Sequence, residues 1–337
     1  MPKKEISRRR LLTQGATAAT SAALGLPFLH QIARSDTPKL QVSYSKTAIH
    51  HAPFVYLAAH ADKYALSIEL LNFDRYADAM VALQKGQVQL SGLGYSNLPT
   101  IIEQNLDKVH MIAGNMMGAA DIVVRQGAKV ESWKDYEGLT IAAPANSLAT
   151  ILLRVDAVEH GFDLGKVKVV NMLPGPAALI ALKQGQIDGL VAWEPWAAQA
   201  IVDGTAYTPK VRLTDNSIGA INGVLGVNVD YATSHKDVVL AFLKAMIDVD
   251  AHLTKNPDEH VKTAVEFMGI DPAVARKAIE NFTYDENIYL KPARAYAKLV
   301  YEYGLTKTDT SPRLDEAVDY GFLEAATGKT RRELGGD

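Results

Sequence analysis

Two runs of this chain end in side chains that could hold a small molecule. In the first, Ala82-Leu83-Gln84-Lys85-Gly86-Gln87-Val88 leads through a short apolar stretch to Gly94-Tyr95-Ser96-Asn97. In the second, Ala181-Leu182-Lys183-Gln184-Gly185-Gln186-Ile187 leads to Trp193-Glu194-Pro195-Trp196, at an offset of 99 residues. Each run reads as a helix closed by a glycine, a turn, a buried strand and a second turn. The residues delivered at the strand ends, Tyr95 and Ser96 in one copy and Trp193 and Glu194 in the other, combine aromatic faces with hydrogen-bonding groups. Open α/β sheets bind ligands at the carboxyl ends of their strands. The repeat therefore predicts two similar α/β lobes that close on a small molecule.

Motifs for other chemistry are missing or incomplete. Gly92-Leu93-Gly94-Tyr95-Ser96-Asn97 imitates a dinucleotide fingerprint, but Asn97 stands where the third glycine belongs. There is no Gly-x-Ser-x-Gly, Walker loop or His-Glu-x-x-His. The chain has no cysteine, which removes disulfides, thiolate catalysis and cysteine-ligated metals together. His50 and His51 are adjacent, and neighbouring histidines without a carboxylate cluster do not make a metal site. No cofactor is expected. A net charge of −3, with no basic run outside the N-terminus, argues against a nucleic-acid partner.

The elements that must position these residues follow from periodicity and punctuation. At 337 residues the chain exceeds what one core usually serves. Basic residues Lys3, Lys4, Arg8, Arg9 and Arg10 precede a mildly apolar, small-residue segment, the layout of an export signal. Ser7-Arg8-Arg9-Arg10-Leu11-Leu12 resembles the twin-arginine type, which predicts a signal over residues 1–33 and a periplasmic location for the rest. Strands are expected at 40–44, 67–73, 90–93 and 109–113, alternating with helices from Pro53 and from Tyr76. That alternation predicts a mostly parallel sheet.

A second series holds strands at 121–125, 140–143, 167–171 and 189–192, with a long helix capped by Asn146 or Ser147. Beyond Asn222 come a returning strand and helical patterns at about 235–254, 257–268, 271–282, 292–303 and 313–326. Crossings between lobes are expected at Gly114–Ala120 and Gly219–Val224, which makes a two-segment hinge. Lobe 1 is then 38–117 with 224–330, and lobe 2 is 118–223.

Three pieces taken together resemble the solute-binding proteins of nitrate/sulfonate/taurine ABC importers. They are Asp188 to Trp196, Lys134 to Pro144 with the following Asn146-Ser147 helix start, and His51-Ala52-Pro53 after the first strand. The resemblance covers about residues 39–300. It implies a type II periplasmic-binding-protein fold, a monomer that hands an anionic or zwitterionic ligand to a membrane permease, and no catalysis. Carried over position by position, the implied ligand residues are His50 and His51; Gly94, Tyr95 and Ser96; Asn146, Ser147 and Leu148; and Trp193 and Glu194. The loop Leu173-Pro174-Gly175 and the return crossing at Asn222 are weaker additions.

An oxyanion needs hydrogen-bond donors more than a full countercharge, and helix N-termini near Pro53, Ser96 and Ser147 could supply them. Ser96 and Ser147 also fit plain helix caps, and Trp193 also fits core packing. Glu194 fits either an amine on the ligand or a contact across the hinge. An aliphatic sulfonate, taurine-like compounds included, is the expected ligand. Nitrate, bicarbonate, a heterocyclic precursor, a sensory role and a pyrimidine-precursor synthase are the alternatives.

Overall fold

The computed structural model describes residues 39–337, except 119, 146, 213–217 and 219–220; of 221 and 222 it describes the backbone alone. The export-signal reading of residues 1–33 and the Asn146 candidate lie outside the described residues, as does the side chain of Asn222.

Strands β1 (Leu40–Tyr44), β2 (Ile68–Asn72) and β3 (Leu90–Gly94) alternate with helices α1 (Ala52–Ala59) and α2 (Tyr76–Gln84), followed by α3 (Leu98–Glu103). Leu40, Val42 and Leu90 are fully buried, as strands covered on both faces require. β4 (Val109–Gly118) then runs on into β5 (Ala120–Arg125). The second series follows as β6 (Thr140–Ala143), α4 (Leu148–His160), β7 (Lys168–Asn171), α5 (Pro176–Lys183), β8 (Gly189–Trp193), α6 (Trp196–Val202) and β9 (Ala206–Tyr207). Strand β10 (Ile221–Asn228) returns, and α7 (Val229–Ser234), α8 (Lys236–Lys255), α9 (Pro257–Met268) and α10 (Pro272–Ala278) follow it. β11 (Phe282–Tyr284), α11 (Leu290–Glu302) and α12 (Gly321–Thr327) complete the described chain.

These strands form a six-stranded sheet, β11-β4-β10-β3-β1-β2, and a five-stranded sheet, β7-β6-β8-β5-β9. The glycines that end the repeated helices, Gly86 and Gly185, have φ of +69° and +70°, the left-handed conformation a helix-closing residue needs. The two copies occupy equivalent places: α2 leads to β3 in one sheet, and α5 leads to β8 in the other.

The mostly parallel expectation holds for β2-β1-β3 and for β7-β6-β8. The remaining strands are antiparallel: β4, β5 and β10 carry the chain out of one sheet and back again, and β9 and β11 pair at the edges. β10 is antiparallel to both β3 and β4, and β5 is antiparallel to β8. β4 ends at Gly118 in the six-stranded sheet, β5 begins at Ala120 in the five-stranded one, and β10 is paired from Ile221. The expected helix over 271–282 stops at Ala278. A 3-10 turn, Ile279–Asn281, then releases Phe282-Thr283-Tyr284 to pair with β4, where an aromatic–threonine–aromatic triplet fits a strand edge. The tail helix divides into a 3-10 segment, Ser311–Ala317, and α12. No described helix is long and apolar enough to cross a membrane.

Packing at β4 is tight enough to dictate its residues. Gly114 N–H donates to the carbonyl of Glu286 at 2.7 Å, and a Cβ there would run into the carbonyl oxygens of Asp285 and Asn287. Gly114→Ala should therefore cost about 1–3 kcal/mol, the usual range for overpacking that forces backbone shifts in a core. Urea unfolding reads this, and an unshifted midpoint would show that the segment yields at no cost.

Candidate functional site

The loops after the parallel strands meet around a cavity of about 340 Å³ between the two sheets. Its size lies at the small end of the range for ligand pockets. From the six-stranded sheet come Ser45, Thr47, Ala48 and His50 after β1; Asp74, Arg75 and Tyr76 after β2; and Gly94 and Ser96 after β3. From the five-stranded sheet come Ser147, Leu148 and Ala149 after β6, Leu173 after β7, and Val191, Ala192 and Trp193 of β8. Ala120 supplies the wall at the crossing.

The donors on this wall are mostly backbone. Ser147 is the N-cap of α4, and its hydroxyl donates to the Pro144 carbonyl at 2.6 Å. Its own N–H donates to Thr150 Oγ1 at 3.2 Å. The first N–H groups of a helix have no acceptor within the helix, and the first two residues of α4, Leu148 and Ala149, line the cavity at the positive end of the helix dipole. Arg75 plays the same positional part at the start of α2 and adds a guanidinium, 74% exposed and 3.8 Å from Asp78. Ser45 and Thr47 pair their hydroxyls at 2.9 Å on the opposite wall.

The histidines divide between cavity and core. His50 lines the cavity, with Nε2 2.9 Å from the Tyr76 hydroxyl and Nδ1 buried without a protein partner. Burial lowers its pKa to about 3, so it meets a ligand as a neutral ring. His51 points inward: its Nδ1 accepts from Ser45 N–H at 2.8 Å, and its ring packs edge-on against Phe54. Burial first, and His50 second, keep it neutral as well.

The structure thus gathers His50, Gly94, Ser96, Ser147, Leu148 and Trp193 on one surface and leaves His51, Tyr95, Gly175 and Glu194 off it. Tyr95 turns away because its hydroxyl serves the C-terminal segment, accepting from Tyr289 N–H at 2.9 Å and donating to the Asn287 carbonyl at 3.3 Å. Gly175 caps α5 without reaching the wall, which its neighbour Leu173 touches instead. Glu194 is only 2% exposed. One of its oxygens accepts from Ala198 N–H at 3.0 Å and the other from Asn281 Nδ2, so both are engaged away from the cavity. It borders a separate hollow with Asp121, Arg212 and Asn281 beside the crossing strands. Of its two sequence readings, the structural one describes its surroundings.

Residues not anticipated from the sequence include Ser45, Thr47, Arg75 and Tyr76, whereas Leu173 belongs to the Leu173-Pro174-Gly175 loop already added there. Each follows the end of a parallel strand, so the rule that selected Ser96 and Trp193 would have selected them too.

The NMT1-like family model matches residues 34–268. The taurine-binding periplasmic protein of Escherichia coli (strain K12) is 27% identical over 257 residues, which is 74% of this chain and 78% of that protein. Among solved structures, the alkanesulfonate-binding protein SsuA from Xanthomonas axonopodis pv. citri, bound to MOPS, superposes with a TM-score of 0.67. It is 21% identical, over 83% of this chain and 98% of that one. The periplasmic nitrate-binding protein NrtA from Synechocystis PCC 6803 gives 0.68 at 12% identity, over 86% and 88% of the two chains. At these identities the two structures establish a shared fold.

Burial raises the Glu194 carboxyl from about 4.5 to about 7, despite the opposing hydrogen bonds from Asn281 and Ala198. The folded chain then keeps a proton that the unfolded chain releases. Stability contributed by Glu194 is accordingly lost as pH climbs through that interval. Relative to Glu194→Gln, the wild type should lose about 2–3 kcal/mol of stability between pH 5 and pH 8. Parallel denaturation curves across that range decide it; a constant difference between the two proteins would mean the carboxyl is ionised throughout.

Proposed function

This chain belongs to the NMT1-like family, and from that premise we propose that it is the solute-binding component of an ABC importer, receiving a small organic oxyanion in the cavity between its sheets. The observation that carries the reading is the meeting of α2 and α4 N-termini, the Arg75 guanidinium and the Ser96 and Ser147 turns on one cavity at the strand ends. Neutral His50 and the hydrogen-bonding hydroxyls suit an anion held by dipoles rather than by a buried cation. An organic tail would lie on Leu148, Leu173 and Trp193, and the presence of that apolar wall favours a sulfonate over nitrate or bicarbonate.

Residues 38–117 with 224–330 would form one lobe and 118–223 the other, bending at the two crossings. Ligand bridging them favours the closed form, which a membrane permease then engages. Export by the twin-arginine route would place the mature monomer in the periplasm.

Two measurements test this reading. Ser96→Leu and Ser147→Leu should each weaken sulfonate binding at least about tenfold by calorimetry, through steric exclusion of the anion at the cavity wall, while unfolding stays cooperative. Full affinity in both would take the site elsewhere. Replacing Arg8 and Arg9 together by lysine should leave the protein in the cytoplasm upon cell fractionation; normal export would point to the general secretory route.

A further inference from the structure

The lining of the cavity carries a preference within the sulfonates, and this step rests on the oxyanion-receptor reading above. A zwitterionic aminosulfonate needs a carboxylate for its ammonium group. Glu194, the residue best placed in sequence to be that partner, is buried outside the cavity with both oxygens engaged. Among the described lining residues the remaining carboxylate is Asp74, exposed at the rim, with one oxygen accepting from Asn72 Nδ2 at 2.9 Å. An ammonium carried into this cavity would shed water without gaining a buried anion among the described residues.

The opposite end of a ligand is well provided for. Leu173 is 67% exposed although it stands on the cavity wall, and Leu148 and Trp193 share that wall. A large aliphatic side chain left in water at a ligand cavity is accounted for if the ligand covers it. Arg75, whose guanidinium is loosely paired and mostly exposed, can turn to the bound anion without breaking a close ion pair.

We infer that the site selects sulfonates with an uncharged apolar tail long enough to reach Leu173, the sulfonate group facing Arg75, and discriminates against aminosulfonates. Each methylene removed from water is worth roughly fourfold in affinity, so tail length has a measurable signature.

Titration calorimetry of the whole chain with butanesulfonate, ethanesulfonate and taurine tests this. Butanesulfonate should bind at least tenfold tighter than taurine. Leu173→Ala should weaken butanesulfonate several-fold and leave ethanesulfonate within about twofold, and since Leu173 is exposed this variant should fold normally. Arg75→Gln should weaken both alkanesulfonates about tenfold. Taurine binding as tightly as butanesulfonate, or equal losses for the two chain lengths on Leu173→Ala, would overturn the selectivity while leaving an oxyanion receptor standing. Binding of none of the three would overturn that underlying reading as well.

Discussion

The antiparallel pairing of β4 with β10 is the constraint on which this molecule is built. Both strands lie inside the six-stranded sheet, one leaving it for the five-stranded sheet and the other returning. They leave and return side by side, and α6 of the second series packs on α10, with Ala198 buried among Val261, Ala264 and Val274, so the second sheet is held to the first on that side as well. The cavity is the space that this arrangement leaves between the carboxyl ends of the parallel strands. Close approach of the C-terminal segment to β4, recorded in the contact of Gly114 with Asp285 and Asn287, stiffens the outward strand just before it crosses. Glu194 adds a connection on the other side, joining the end of β8 to Asn281 beside β11.

Within the cavity, the chemistry follows from what burial does to charge. His50 and His51 are too deeply buried to hold protons, so they cannot serve as cations for an anionic ligand. Positive potential comes instead from helix N-termini, which are dipoles fixed by the fold and need no ionisation, and from one guanidinium that stays in contact with water. Such a wall can strip an oxyanion of part of its hydration and return hydrogen bonds without burying a full positive charge. The apolar residues contributed by the five-stranded sheet then meet whatever the anion is attached to.

Much of this was readable from residues near one another in sequence. Gly86 and Gly185 close the repeated helices in the left-handed conformation their type foretold, and Ser147 begins α4 where its side chain and the preceding proline require. What could not be read depended on partners far along the chain. The burial of Glu194 needs Asn281, the inward turn of Tyr95 needs Tyr289, and the strand at Phe282 needs β4 to pair with. Locally, Glu194 after a buried strand looks the same whether it faces a ligand or a neighbouring segment. Arg75 was open to discovery, since it follows β2 as Ser96 follows β3, but a charged residue on a polar helix start gives no local sign that a cavity lies beside it.

In the proposed receptor, an anion drawn into the cavity brings the two sheets together. The chain has no cysteine, so labels can be placed at will. Asp78→Cys on α2 and Val158→Cys on α4, both at exposed positions, put one spin label on each side. Pulsed electron–electron double resonance should show the distance distribution shift to shorter values as an alkanesulfonate is added, saturating with occupancy. A distribution unchanged at saturating ligand, with binding verified in the same sample, would contradict closure around the anion.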